Sequence, residues 1–176
     1  MTIYFLRHAS AGKKYVNAKK DERRPLDEPG VLQARYVGRL LSNLDIQLDQ
    51  IISSPLKRAL QTASLAANEL AFETGIQIDA ALRPESEFDQ FQELLARYSR
   101  YESIMVVGHN PSLSEFLSKT ISSNSSPAHV DFKKGAVAKV EMSGRNGTLE
   151  WLITPKIART LQTTLKASSR PKISRK

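Results

Sequence analysis

The chain has 176 residues, 40% hydrophobic and 25% charged, which suits one folded domain and excludes an intrinsically disordered protein. It has no cysteine, so disulfide frameworks, thiolate metal sites and cysteine nucleophiles are excluded, and no apolar run approaches the ~20 residues of a membrane-spanning helix. Lysine and arginine outnumber aspartate and glutamate by 26 to 18, and this net charge of +8 directs attention to acidic partners or phosphorylated substrates.

The opening MTIYFLRHAS puts charge directly after a short apolar run, unlike a secretory leader, so a cytoplasmic location is expected. Within it, residues 2–6 are rich in β-formers and predict a strand. Residues 13–24 are polar, charged and aperiodic; they predict a loop, and loops of about 12 residues or more are often functional. Over 31–44, Ala34, Val37, Leu40, Leu41 and Leu44 recur at a helical period, with Asp27 placed to cap the start and Pro29 tolerated in a first turn. Residues 50–53 predict a second strand, ended by Ser54-Pro55, and an Ala- and Leu-rich helix follows over 55–70. Ile76 and Ile78 alternate with polar neighbours as a short strand, and a helix over 87–98 carries Phe88, Phe91, Leu94, Leu95 and Tyr98 on one side. SIMVVG, residues 103–108, is the clearest buried strand, after which Pro111 opens a helix bearing Leu113, Phe116, Leu117 and Ile121.

The stretch SSNSSP at 122–127 predicts a polar loop. Ala138, Val140 and Met142, then Leu149, Trp151 and Ile153, alternate on either side of a turn at 144–147 and predict a β-hairpin. Residues 166–176, KASSRPKISRK, carry no acid and read as a flexible, solvated basic terminus rather than a nucleic-acid-binding tail. Strand–helix alternation followed by a hairpin predicts an α/β sandwich on a mostly parallel, finally mixed sheet.

Open α/β sheets place their sites beyond the carboxyl ends of strands. The first strand runs into Arg7-His8, and the buried strand at 103–108 runs into His109-Asn110-Pro111. A lone histidine is usually structural, but two of the chain's three histidines stand at equivalent strand exits; His129, with no strand before it, keeps the structural reading. Arg58 lies in the first turn of the helix after Ser54-Pro55, where free N–H groups and the helix dipole favour an anion, and Arg7 could supply a second guanidinium fork. A neutral imidazole is a competent nucleophile toward phosphorus, and two arginines and a second histidine would stabilise the charge of an in-line transition state. No metal-ligand spacing is present, and neither a metal nor another cofactor is expected.

FLRHASA, PLDEPGVLQA, SSPLKRALQTA and VVGHNPSL, in this order and with compatible gaps, resemble the histidine phosphatase superfamily, also called phosphoglycerate mutase-like, and within it the SixA-type phosphohistidine phosphatases. The match covers residues 1–155, leaving 156–176 as a basic C-terminal segment. The resemblance implies a three-layer α/β/α sandwich in which His8 is transiently phosphorylated, with Arg7, Arg58 and His109 as its phosphate-binding partners. It departs from the wider pattern at Ala9, where many members carry glycine, and at Leu82-Arg83-Pro84, where a proline stands in the usual place of a general-acid carboxylate. Glu85 is the neighbouring candidate acid, and no large substrate-capping insertion fits between Arg58 and GHNP.

The leading expectation is therefore a metal-independent phosphatase acting on phosphohistidine in a protein, with neither a membrane nor a nucleic acid as partner. The alternatives are a small-molecule phosphomonoesterase, for instance toward a sugar phosphate, and an inactive phosphate- or nucleic-acid-binding module. Phosphoglycerate mutase activity fits less well, given the missing acid and the small size.

Overall fold

The computed structural model describes residues 1–122 and 128–168. Its centre is a six-stranded sheet with spatial order β3-β2-β4-β1-β5-β6, built from β1 (Thr2–Arg7), β2 (Gln50–Ser53), β3 (Ile76–Ile78), β4 (Ser103–Gly108), β5 (Val137–Ser143) and β6 (Asn146–Ile153). The β3-β2-β4-β1 half is parallel, whereas β5 and β6 pair antiparallel, so the sheet is mixed as the sequence predicts.

Alternation along β1 sorts the two cores. Ile3 and Phe5 join one cluster, with Phe91 and Leu94 of α4 (Phe88–Arg97) and Leu113, Phe116 and Leu117 of α5 (Ser112–Ile121). Tyr4 and Leu6 face the other side, against Val37, Leu40 and Leu41 of α2 (Glu28–Asn43) and the alanines of α3 (Lys57–Glu69). Residues of β1, β2 and β4 thus pack against helices on both faces, which makes a three-layer α/β/α sandwich and explains why SIMVV reads as a continuous apolar run. Phe91 and Phe116 stack with ring centroids 4.7 Å apart, closing the first core.

Several boundaries shift for local reasons. Helix α2 starts at Glu28, earlier than its periodic residues suggest, because the Asp27 carboxylate accepts from Gly30 N at 2.8 Å and Pro29 fits the first turn. Helix α3 starts at Lys57, later than expected, because Ser54-Pro55-Leu56 stays outside the helix, with Leu56 extended at its N-cap. The hairpin turn is tighter than predicted, only Gly144 and Arg145, with Gly144 at φ +62°.

One segment corrects the sequence reading and a second adds to it. Residues 13–24 are not entirely loop: Asn17 caps a short helix, α1 (Ala18–Glu22), by accepting from Lys20 N at 3.0 Å. The expected basic segment 156–176 is helical in its first part, as α6 (Pro155–Ser168) packs on α2 through buried Ala158 and a hydrogen bond from Gln162 Nε2 to Tyr36 O. The rest of that segment, 169–176, and residues 123–127 of the predicted SSNSSP loop lie outside the described residues.

The loop after β1 is clamped to α2. Asp27 Oδ2 accepts from Ser10 Oγ at 2.8 Å and Gly12 N at 2.7 Å, and Gln33 Oε1 accepts from Ser10 N at 2.9 Å. The clamp brings the Ser10 carbonyl so close to Gly30 that a Cβ there would lie 1.9 Å from its oxygen. Gly30→Ala is therefore expected to destabilise the fold by roughly 1–3 kcal/mol through overpacking. A urea-unfolding midpoint equal to wild type would contradict this approach of helix and loop.

Candidate active site

Register places the two histidines. Leu6 pairs with Val107 and Arg7 with Gly108 across β1 and β4, so His8 and His109 leave adjacent parallel strands side by side. His8 N donates to Gly108 O at 2.9 Å, and the two rings lie 4.9 Å apart, centroid to centroid. Ser54 N, just past β2, donates to Val107 O at 2.9 Å and brings a third strand end to the same place.

Local hydrogen bonds then set the rings. The Ala9 carbonyl can only accept, so its 2.7 Å contact with His8 Nδ1 puts the ring proton there and leaves the lone pair on Nε2. His109 Nε2 meets Ser54 Oγ at 2.9 Å, and that oxygen also accepts from Leu56 N at 3.4 Å. With the Ser54 hydroxyl donating, His109 carries its proton on Nδ1, a buried position without a partner among the described residues. Among the described residues the Nε atoms of Arg7 and Arg58 are likewise buried and unpartnered, and all four residues line one open cleft of about 610 Å³. The structure thus brings His8, His109, Arg7 and Arg58 together and leaves buried N–H donors on three of them, an arrangement suited to an oxyanion.

Each arginine is aimed by groups that the sequence did not single out. Arg7 Nη1 donates to Phe132 O at 2.6 Å, an oxygen that also accepts from Asn110 Nδ2 at 3.1 Å. Arg58 Nη1 donates to Asp21 O at 3.0 Å and lies 3.4 Å from Asp21 Oδ2. Asp21 is buried at 7% exposure, and its Oδ1 takes hydrogen bonds from Arg24 Nε at 2.8 Å and Tyr15 N at 2.9 Å. Burial opposes its ionisation, but those bonds and the charges of Arg24 and Arg58 outweigh it, so its carboxyl titrates below the ordinary aspartate range. Asp21 therefore holds Arg58 from behind as an ionised partner. In the sequence it is one of several charged residues in an aperiodic stretch, and only the length of that stretch gave a signal.

Glu85 lines the same cleft, as does Pro84. Its side chain is 66% exposed, and Oε1 stands 3.6 Å from Arg83 Nη1, which also bonds Glu22 Oε1 at 2.8 Å. It is thus a rim carboxylate held against a guanidinium. His129 is exposed and outside the cleft. Among the described residues, no cluster of three or more His, Asp or Glu is arranged to hold a metal ion, and no helix is long and apolar enough to cross a membrane.

Comparison with known proteins agrees with this geometry. Residues 3–97 match the family model of the histidine phosphatase superfamily, branch 1. The chain belongs to that superfamily. An uncharacterized protein of Picosynechococcus sp. is 31% identical, over 78% of this chain and 82% of the relative. The phosphohistidine phosphatase SixA of Escherichia coli is 23% identical, over 88% of this chain and 94% of the relative. A solved structure of the protein histidine phosphatase SixA with tungstate superposes with a TM-score of 0.76 at 21% identity, over 89% of this chain and 98% of that one. A SixA structure from Agrobacterium tumefaciens gives 0.74 at 24%, over 88% and 97%. This histidine phosphatase superfamily member is accordingly a phosphatase with a SixA-like fold.

Burial pushes the His8 ring down to about 3, and the nearby positive charges of Arg58, Arg7 and Lys134 add to the effect against the opposing hydrogen bond to Ala9. His109 falls to about 2, again chiefly by burial, with His8, Arg58, Arg7 and Arg83 contributing. Above the ordinary histidine value of about 6.5 both rings are neutral in folded and unfolded chains, and they add no pH dependence to stability. Below it the unfolded chain takes up protons that the folded chain refuses, so stability should fall as pH falls, by at most ~1.4 kcal/mol per pH unit for each histidine. Ring ¹⁵N shifts at about pH 5 should be those of neutral imidazoles, and the urea midpoint should drop between about pH 7 and 5. Protonated rings at the lower pH would contradict this arrangement.

Proposed function

We propose that the chain hydrolyses phosphohistidine carried by a protein, with His8 as nucleophile and Arg7, Arg58 and His109 as the phosphate-binding partners. The observation that carries this reading is the tautomer of His8, whose Nδ1–H is tied to Ala9 O and whose Nε2 lone pair is free. Attack of Nε2 on phosphorus breaks the substrate's P–N bond, and the departing imidazole takes that electron pair. Water then attacks the phosphoryl group on His8, the electron pair of the broken Nε2–P bond returns to Nε2, and the oxygen and protons of the water leave with inorganic phosphate. In each step the two arginines supply to the equatorial oxygens the positive charge that a metal supplies elsewhere, and neutral His109 adds a hydrogen bond.

The substrate class follows from the leaving group. Pro84 cannot donate a proton, and the P–N bond of phosphohistidine needs less protonation than an alkoxide does. His8→Ala is expected to lose several orders of magnitude in turnover and to trap no phosphoryl group when quenched without acid and examined by mass spectrometry. Phosphohistidine and aryl phosphates should react faster than alkyl phosphates by about 10²–10⁴-fold, the usual worth of a positioned acid. The position of Glu85 on the cleft rim favours a second reading, a small-molecule phosphomonoesterase with Glu85 as acid. Comparable rates on both substrate classes, with Glu85→Gln abolishing only the alkyl reaction, would establish that second reading instead.

The same mechanism makes a separate prediction. Turnover of an aryl phosphate should survive exhaustive EDTA treatment unchanged. Loss of activity on chelation, restored by zinc or magnesium, would replace it with a metal-assisted route.

A further inference from the structure

One wall of the cleft is the segment that the sequence read as a plain loop. Residues 12–20, 22 and 23 are all exposed, whereas Asp21 and Arg24 between and behind them are buried. Lys13, Lys14, Lys19, Lys20 and Arg23 lie on this strap, and its exposed carboxylate, Glu22, is taken by Arg83. Among the described residues, none of these five cations has a carboxylate within ion-pair distance. This is positive charge beyond the two arginines placed around the phosphoryl group.

The strap also presents apolar surface. Val16 is 106% exposed and Tyr15 42%, and both line the cleft mouth beside Lys14. A fully exposed branched side chain next to a half-exposed aromatic, ringed by cations, has the composition of a protein contact rather than of a small-anion pocket. A single-strand nucleic-acid surface would offer successive open aromatic faces, whereas here the one ring, Tyr15, has the Lys20 ammonium 4.9 Å from its centroid.

The strap is held in place. Asp21 Oδ1 accepts from Tyr15 N, Asn17 Oδ1 accepts from Lys20 N at 3.0 Å, and Arg24 Nη1 donates to Ala11 O and, at 3.2 Å, to Gly12 O. A surface ordered before the partner arrives loses less conformational entropy on binding. Because Asp21 also bonds Arg58, the anchor that orders the strap is the one that aims an arginine into the cleft.

We propose that residues 13–23 form a docking surface for the acidic face of the phosphorylated protein substrate, with Tyr15 and Val16 as its apolar contact. This rests on the reading of the enzyme as a protein phosphohistidine phosphatase, and it adds the chemistry of the partner: carboxylates surrounding a small apolar spot next to the phosphohistidine. The cations would steer encounter through long-range attraction, and Tyr15 and Val16 would slow dissociation.

The test compares three substrates: an acidic histidine-containing phosphotransfer domain phosphorylated with phosphoramidate, free phosphohistidine, and p-nitrophenyl phosphate. The variants are Lys13→Glu/Lys19→Glu and Val16→Ser. Glutamate at position 19 falls in the first turn of α1, where an acid is tolerated. Both variants should lower kcat/KM for the phosphoprotein by about tenfold or more, mainly through KM, and leave the two small substrates within about twofold. Wild-type kcat/KM for the phosphoprotein should fall steeply with added salt, and the charge-reversal variant should show a shallower slope.

Equal losses on all three substrates, or no loss on the phosphoprotein, would overturn the docking surface while leaving the phosphohistidine reading intact. Inhibition by a single-stranded oligonucleotide that disappears in Lys13→Glu/Lys19→Glu, without an effect on phosphoprotein turnover, would assign the strap to nucleic acid instead. A wild-type enzyme that turns over p-nitrophenyl phosphate but neither form of phosphohistidine would sink the functional reading itself, and the docking proposal with it.

Discussion

Everything at the cleft depends on the register of two parallel strands. Because Arg7 pairs with Gly108, the residues that follow them emerge at the same height, and the imidazoles of His8 and His109 come within 4.9 Å. A slip by one residue would turn Phe5 and Ile3 out of one core and Tyr4 and Leu6 out of the other. Hydrophobic packing on both faces of the sheet thus fixes a distance between two polar side chains that neither could set alone. The site is correspondingly rigid, since strand ends flanked by packed helices are better platforms than free loops.

That rigidity carries an electrostatic cost. Two imidazoles and two guanidiniums share one partly desolvated cleft, and burial together with mutual repulsion drives both rings to the neutral form. A neutral His8 keeps the Nε2 lone pair that the proposed attack on phosphorus requires. The guanidiniums stay charged because arginine is too basic to lose its proton, and each is aimed by acceptors behind it: Phe132 O for Arg7, and the backbone and carboxylate of Asp21 for Arg58. Donors held in this way need no reorganisation when negative charge develops before them.

The motifs divide into those that touch the cleft and those that hold it. Arg7 and His8 of RH, the arginine after SSPLK, and His109 and Asn110 of GHN contribute to its lining. PLDEPG does not reach in; Asp27 ties down the loop after His8, and Gly30 lets that loop's carbonyl approach the helix. Thr62, one turn beyond Arg58, accepts from Ala9 N at 3.1 Å and donates to Arg58 O, joining the loop after His8 to the helix that carries Arg58.

The sequence by itself determined the strands, the helices and the mixed sheet of an α/β sandwich, and placed Arg7, His8, Arg58 and His109 at its strand ends. It could do so because strand and helix periods are local properties, and because a rule about strand ends converts two separate motifs into one place. Only tertiary structure decided what lies behind those residues. Asp21 is an ordinary charged residue in KKDERRP until folding buries it between Arg24 and Arg58, and the Phe132 carbonyl carries no side-chain signal at all. Likewise α6 belongs to the fold because α2 offers an apolar face at Tyr36 and Val37, a fact remote in sequence from Pro155. Local pattern specifies elements and their exposed chemistry; which charge faces which, and which backbone oxygen accepts, depends on contacts between residues far apart in the chain.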